Sequence, residues 1–180
     1  GQNFTAPLRA GVDPGSNPLV VEVPVQLAPQ LAVIHLFIRL GADQQALAGG
    51  ADIRFSKPNG THLFYQIERW STIPADTSAA IWVLVDSVRA SNTTTVRMYW
   101  GNASAANRSS GPAVFDTLNA YSGVWHLGES ASPSSDATIL GSSAQWLNAP
   151  ASTTGFIGKA INLSNGASTG LSGQYLAASY

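Results

Sequence analysis

The feature that most constrains this chain is a two-residue hydrophobic period that returns along its first hundred positions. In PLVVEVPVQL, Leu19, Val21, Val23, Val25 and Leu27 fall on one parity, with Glu22, Pro24 and Gln26 on the other. Side chains alternate across a β-strand, so this is the pattern of a strand with one buried face. Pro24 has no N–H for a ladder, which predicts a sheet edge or a bulge at that strand. AVIHLFIRL repeats the pattern with Ile34, Leu36, Ile38 and Leu40 against His35, Phe37 and Arg39, and AAIWVLVDSV and TTTVRMYW repeat it again. Between DIRF and THLFYQIERW, the run Lys57-Pro58-Asn59-Gly60 supplies a fixed φ, tolerance of the left-handed region and a positive φ, so a hairpin is expected there. The segment 40–50 has the composition of one short helical turn stopped by Gly49-Gly50, and no long helix is expected anywhere.

Short strands joined by polar turns imply an all-β, antiparallel sandwich of jelly-roll type. After Trp100 the composition changes to the small, turn-rich GNASAANRSSGPA. AVFDTLNAYSGVWHL then restores apolar residues, and a Ser-rich stretch leads to two weak strands, GKAINLS and GQYLAA. We divide the chain into residues 1–117, a β-sandwich, and 118–180, a partial second β-sandwich segment.

Charged residues make up 11% of the 180 positions and the formal net charge is -1, which gives no basic surface for a nucleic acid or an anionic membrane. No apolar run reaches the roughly 18 residues of a membrane span, and no basic-then-apolar leader opens the sequence. Cysteine is absent, so disulfides, thiolate metal sites and a cysteine nucleophile are excluded. Asn3, Asn59, Asn92, Asn102, Asn107 and Asn162 each begin an N-x-[ST] sequon, against about two expected from composition, which points to an exported and glycosylated protein. The same residues are also the ordinary turn formers of a β protein.

Motifs for chemistry are sparse. Gly166-Ala-Ser168-Thr-Gly170 fits G-x-S-x-G, but nothing around it reads as the strand and helix of a nucleophile elbow. His35, His62 and His126 lack metal-ligand spacing. Asp52, Glu68, Asp86, Asp116, Glu129 and Asp136 are scattered singly, and no local pairing suggests a glycosidase. Asp52 and Arg54 share a parity opposite to Ile53 and Phe55, which puts them on an outer face or at a sheet end, where they fix a turn.

Tryptophan is the residue in excess, with five in the chain. Indole faces stack on the apolar faces of sugar rings, so a carbohydrate platform is a candidate role. Trp100 shares parity with Val96 and Met98 and is assigned to the core. Trp70, Trp82 and Trp146 are the candidate ligand-binding residues.

The ordered motifs GADIRF, NGTHLFYQIERW, IWVLV, MYWGN, AVFD and VWHLGE resemble the domain-of-unknown-function family 2341 over about residues 41–129. VWHLGE, SSDAT and TTGFIGKAINLSNG further resemble the opening of a concanavalin A-like, laminin G-like domain, which needs about twice the residues that follow Tyr121. The resemblance implies a module of a large exported or cell-surface protein, extracellular or periplasmic. It implies calcium as a conceivable cofactor through Asp116, Glu129 and Asp136. The expected function is therefore non-catalytic, with a polysaccharide or glycan as partner and adhesion as the role. One alternative is a structural subunit completed by strands from neighbouring copies, pairing through the C-terminal strands; a second is an accessory module of a polysaccharide-active enzyme.

Overall fold

The computed structural model describes residues 19–25, 30–39, 46–73, 76–88, 92–102, 104–148, 150–163 and 175–178. Asn3 and the Gly166 to Gly170 motif lie outside the described residues. The fold is all-β with antiparallel sheets, and it divides into two compact units, 1–110 and 111–180. The division falls within the turn-rich segment that follows Trp100.

Among the described residues, unit 1 holds seven strands: β1 Leu19–Val25, β2 Gln30–Arg39, β3 Arg54–Ser56, β4 His62–Leu63, β5 Tyr65–Ile73, β6 Asp76–Val88 and β7 Asn92–Tyr99. They form a four-stranded sheet ordered β1-β7-β3-β4 and a three-stranded sheet ordered β2-β6-β5. β1 lies at an edge, where the missing N–H of Pro24 costs no ladder bond on the open side.

Both sheets feed one core. Phe55, Leu63, Val96 and Met98 come from the first, Leu36, Ile38, Tyr65, Ala79, Ile81, Val83 and Val85 from the second, and Ile53 joins them from the turn before β3. Strands β2, β6 and β7 each contribute one parity to this cluster, as alternation requires. Trp100 packs against this cluster, as its parity predicts.

The expected hairpin forms, but it is two residues deep. β3 pairs with β4 through Phe55↔Leu63 and Ser56↔His62. The chain then leaves that sheet at Phe64, whose carbonyl accepts from Leu84 N–H at 2.9 Å, and β5 pairs with β6 in the other sheet. One run of alternating residues thus serves two sheets, because a single residue outside both ladders suffices to redirect the strand. In the segment before β3, a 3-10 turn covers Ala48–Gly50.

Unit 2 begins with a four-residue helical turn, Gly111–Val114, and a 3-10 turn, Thr117–Asn119. Its strands are β8 Gln145–Leu147, β9 Ala151–Thr154, β10 Lys159–Asn162 and β11 Tyr175–Ala177. They make two two-stranded sheets, β9 with β10 and β8 with β11. Both weak strands expected from the sequence are present. Phe115 meets Tyr121 edge-on at 5.2 Å and His126 at 5.6 Å, and burial raises the Tyr121 hydroxyl above its ordinary pKa.

Candidate functional site

The outward face of the β2-β6-β5 sheet carries a cluster of polar and aromatic side chains. His35 on β2 and Trp82 on β6 are direct cross-strand partners. Their rings stack with centroids 4.1 Å apart and planes 20° from parallel. From the other flank, Glu68 of β5 reaches in. Its Oε2 accepts from Trp82 Nε1–H at 2.6 Å and lies 3.6 Å from His35 Nε2. The His35 and Glu68 side chains are only 12% and 13% exposed.

A bulge builds this cluster. Ile67 pairs with Ile81 and Arg69 with Ala80, so Glu68 is an extra residue in β5. The insertion also resets parity downstream, and Ile67 and Trp70, three apart, both pack against the core. Sequence reasoning takes Trp70 as a binding platform because it closes a strand, and the bulge is why its ring turns inward instead. That ring sits over Gly50: a Cβ there would lie 2.7 Å from Trp70 Cε3. Gly50 has φ of 69°, which favours glycine independently.

Trp82 does face outward, as its parity opposite Ile81 and Val83 predicts. However, one ring face is covered by His35 and its N–H is spent on Glu68. Trp146 belongs to the other unit, where its backbone N–H donates to Ser132 Oγ and its Nε1–H to Ser134 Oγ, both at 2.9 Å. Each of Trp70, Trp82 and Trp146 is partly buried. Within unit 1, Trp70 and Trp82 occupy opposite faces of the sheet.

The carboxylates that sequence analysis singled out are committed to local structure. Asp52, 2% exposed, accepts from Leu47 N–H through Oδ1 and from Gly101 N–H through Oδ2, each at 2.7 Å. It is therefore buried at the sheet end, one of the two positions its parity allowed, where it ties the turn before β3 to the residue after Trp100. Arg54 follows the expected turn-fixing role: Nη1 donates to the carbonyls of Ala51 and Ile53 at 3.2 and 2.6 Å and contacts Tyr65 Oη at 3.3 Å, while Nη2 reaches Ala106 O. Tyr65 donates to Ile53 O at 2.7 Å, and burial raises its pKa against the lowering effect of Arg54. Asp86 pairs with Lys57.

In unit 2, Asp116 caps the 3-10 turn by accepting from Leu118 N–H, and Glu129 Oε1 accepts from Ser135 N–H at 2.9 Å. Asp136 accepts four bonds: Val124 N–H at 3.0 Å and Thr138 N–H at 2.9 Å on Oδ1, Thr138 Oγ1–H at 2.7 Å and Ser142 N–H at 3.0 Å on Oδ2. Burial alone would raise this carboxyl. The bonds from Val124, Thr138 and Ser142 outweigh that effect and hold its pKa below the ordinary value. Asp136 has its acceptor capacity filled, and among the described residues no three His, Asp or Glu side chains gather closely enough to hold a metal ion. Asp116, Glu129 and Asp136 thus do not fit a shared calcium site.

Two short stretches dominate this architecture, the Gly50 to Trp70 run and the Val124 to Asp136 loop, and both lie in or beside the motifs that carry the resemblance. Residues 49–128 match the family model described as a domain of unknown function, DUF2341. The DUF2341 match opens at the glycine turn under Trp70, covers β3 to β7, and ends after the VWHL motif. It includes Glu68 and Trp82 but not His35, so the cluster on the outward sheet face joins matched and unmatched strands. No curated protein and no solved structure matches the chain.

Proposed function

We propose that this chain is a non-catalytic structural module of an exported or cell-surface protein, in which unit 2 seats against further β structure, supplied for the isolated chain by a second copy. The observation that carries the reading is the apolar surface of unit 2. Leu118 is 91% exposed, Phe156 87% and Ile139 70%, and Leu140, Leu147 and Leu163 are exposed as well. Among the described residues these side chains accompany strands paired only two by two, an arrangement that is marginal in water by itself. Covering such residues returns roughly 25 cal/mol per Å² of apolar area. Each of Asp52, Glu68, Asp86, Asp116, Glu129 and Asp136 bonds at least one backbone or side-chain partner, which favours a structural use over acid–base chemistry. The laminin G-like resemblance of VWHLGE and SSDAT supports the same role, since that architecture is a two-sheet sandwich.

The test is sedimentation velocity over a range of concentrations, with Leu118→Ser/Phe156→Ser alongside. The expected result is reversible self-association that the double variant weakens while its circular dichroism is unchanged. A wild-type chain that stays monomeric at high concentration and binds no hydrophobic dye would sink this reading.

A second reading, a glycan-binding or adhesive module, alone or as an accessory to a polysaccharide-active enzyme, is favoured by the His35–Trp82 stack on an outward sheet face. Its test is affinity electrophoresis against a polysaccharide panel, with retardation lost in Trp82→Ala. Both readings place the protein outside the cytoplasm.

A further inference from the structure

Among the described sequons, Asn59 and Asn102 combine a closed turn with an exposed hydroxyl residue two positions on. Asn59 Oδ1 accepts from Thr61 N–H at 3.1 Å, and Asn102 Oδ1 accepts from Ser104 N–H at 3.0 Å. Each asparagine thus bonds the backbone of the hydroxyl residue of its own sequon, closing an Asx turn. Asn59 sits at the tip of the β3–β4 hairpin, in a turn closed by Gly60 N–H to Lys57 O at 3.0 Å and Lys57 N–H to Thr61 O at 2.9 Å. Asn102 follows β7 in a turn closed by Ala105 N–H to Asn102 O at 3.0 Å. Asn59, Thr61, Asn102 and Ser104 are all exposed. The carboxamide oxygen is held inward, and among the described residues nothing bonds to either Nδ2 or to the hydroxyls of Thr61 and Ser104.

Two other sequons serve as internal contrasts. Asn107 Oδ1 accepts from Ser109 N–H at 2.8 Å, so the turn is the same. However, Ser109 Oγ is half-buried and accepts from Ile67 N–H at 2.8 Å, which anchors the segment to β5. Its hydroxyl oxygen already accepts a bond within the fold. Asn162 is exposed but lies in β10, paired with Ala151 in a ladder, so its backbone is extended and not turned.

We propose that, among the described sequons, Asn59 and Asn102 are N-glycan attachment sites of the folded protein, and that Asn107 and Asn162 are refused by their structure despite their sequons. The reaction joins Asn Nδ2 to the sugar C1 of a glycan carried on a lipid phosphate. The C1–O bond to that phosphate breaks, the lipid phosphate leaves with the electron pair, and one Nδ2 proton passes to a base of the transferase. A transferase must reach both the amide nitrogen and the hydroxyl two residues on, in a turned chain. Asn59 and Asn102 offer both already placed, so little ordering remains to be done on binding. Glycans there would cap the β3–β4 tip and the chain leaving β7, neither of which is needed for pairing in either sheet of unit 1.

The test is glycosylation in vitro of the folded full chain by a single-subunit oligosaccharyltransferase that reads N-x-[ST], using a lipid-linked oligosaccharide, with glycopeptide mapping by mass spectrometry. Synthetic peptides spanning the four sequons give the intrinsic rates. The expected result is that Asn59 and Asn102 react in the folded chain at least as fast as in their peptides, while Asn107 and Asn162 slow by about tenfold or more, the scale that misplaced reactants cost. Thr61→Ala and Ser104→Ala should each abolish modification at their own site and leave circular dichroism unchanged. Failure of both Asn59 and Asn102 to react, or equal modification of Asn107 or Asn162 in the folded chain, overturns the assignment.

Discussion

The ring of Trp70 lies directly over the α-carbon of Gly50, where a methyl group would sit 2.7 Å from two of its carbons and 3.0 Å from Ile67 Cδ1. That contact binds the turn before β3 to the bulged part of β5 and fills the corner of the core that the bulge opens. Gly50→Ala should destabilise unit 1 by about 1–3 kcal/mol, the usual cost of overpacking, with added strain from the positive φ. Trp70→Ala should cost about 3–5 kcal/mol by leaving a cavity. Urea unfolding followed by circular dichroism measures both. If Trp70→Ala instead left stability unchanged, the inward placement of the ring would be refuted.

Asp52 accepts from the backbone N–H of Leu47 and from that of Gly101, 49 positions further along the chain. Replacing it with Ala leaves both donors without their acceptor in a nearly water-free place. The expected loss is about 2–3 kcal/mol, the scale of a buried donor deprived of a charged partner. Asp52→Asn retains one acceptor oxygen and should lose less. Hydrogen exchange at Leu47 and Gly101 would report the local effect directly, with faster exchange at both amides in Asp52→Ala than in wild type.

How much of this was legible beforehand depends on whether a property is local. Strand alternation identifies β2, β6 and β7, Pro24 marks β1 as an edge or bulged strand, and parity sets Trp82 on the face opposite Ile81 and Val83. The reassignment of Trp70 has no such signal, because a bulge shifts parity without leaving any mark in residue types. Residues 67 to 70 read as regular strand. The switch between sheets at Phe64 was hidden for the same reason. His35, Glu68 and Trp82 each appeared in the sequence as an isolated residue, and only the register His35↔Trp82 with the bulge at Glu68 brings them together. A long-range register has no short-range signature.

That cluster makes a separate prediction. Trp82→Phe keeps a ring to stack on His35 but removes the N–H that Glu68 accepts. It should cost about 1–3 kcal/mol, since a charged acceptor in a mostly water-free position loses a donor. Glu68→Gln should cost less, because the amide oxygen still accepts from the indole. The Trp82 indole N–H resonance, assigned by its absence in Trp82→Phe, should move upfield in Glu68→Gln as the charge-assisted bond weakens. An unchanged resonance would remove the Trp82–Glu68 bond from the description of this face.

The Asp136 carboxylate organises unit 2, and its depressed pKa has a definite consequence for pH. A group whose pKa is lower in the folded state than in the unfolded chain contributes stability that is complete above the unfolded value and is lost as pH falls through the folded one. The ordinary value is 3.8 and the folded value lies below it. Stability should therefore be level from neutrality down to about pH 5 and decline below about pH 4. Asp136→Asn places an NH₂ among donors from Val124, Thr138 and Ser142, so at pH 7 it should lose about 2 kcal/mol or more. The difference between variant and wild type should narrow as pH drops, because protonated Asp136 is also a poorer acceptor. Thermal unfolding of both proteins between pH 7 and pH 3 measures this convergence, and parallel curves would show that Asp136 does not carry the acid sensitivity of the unit.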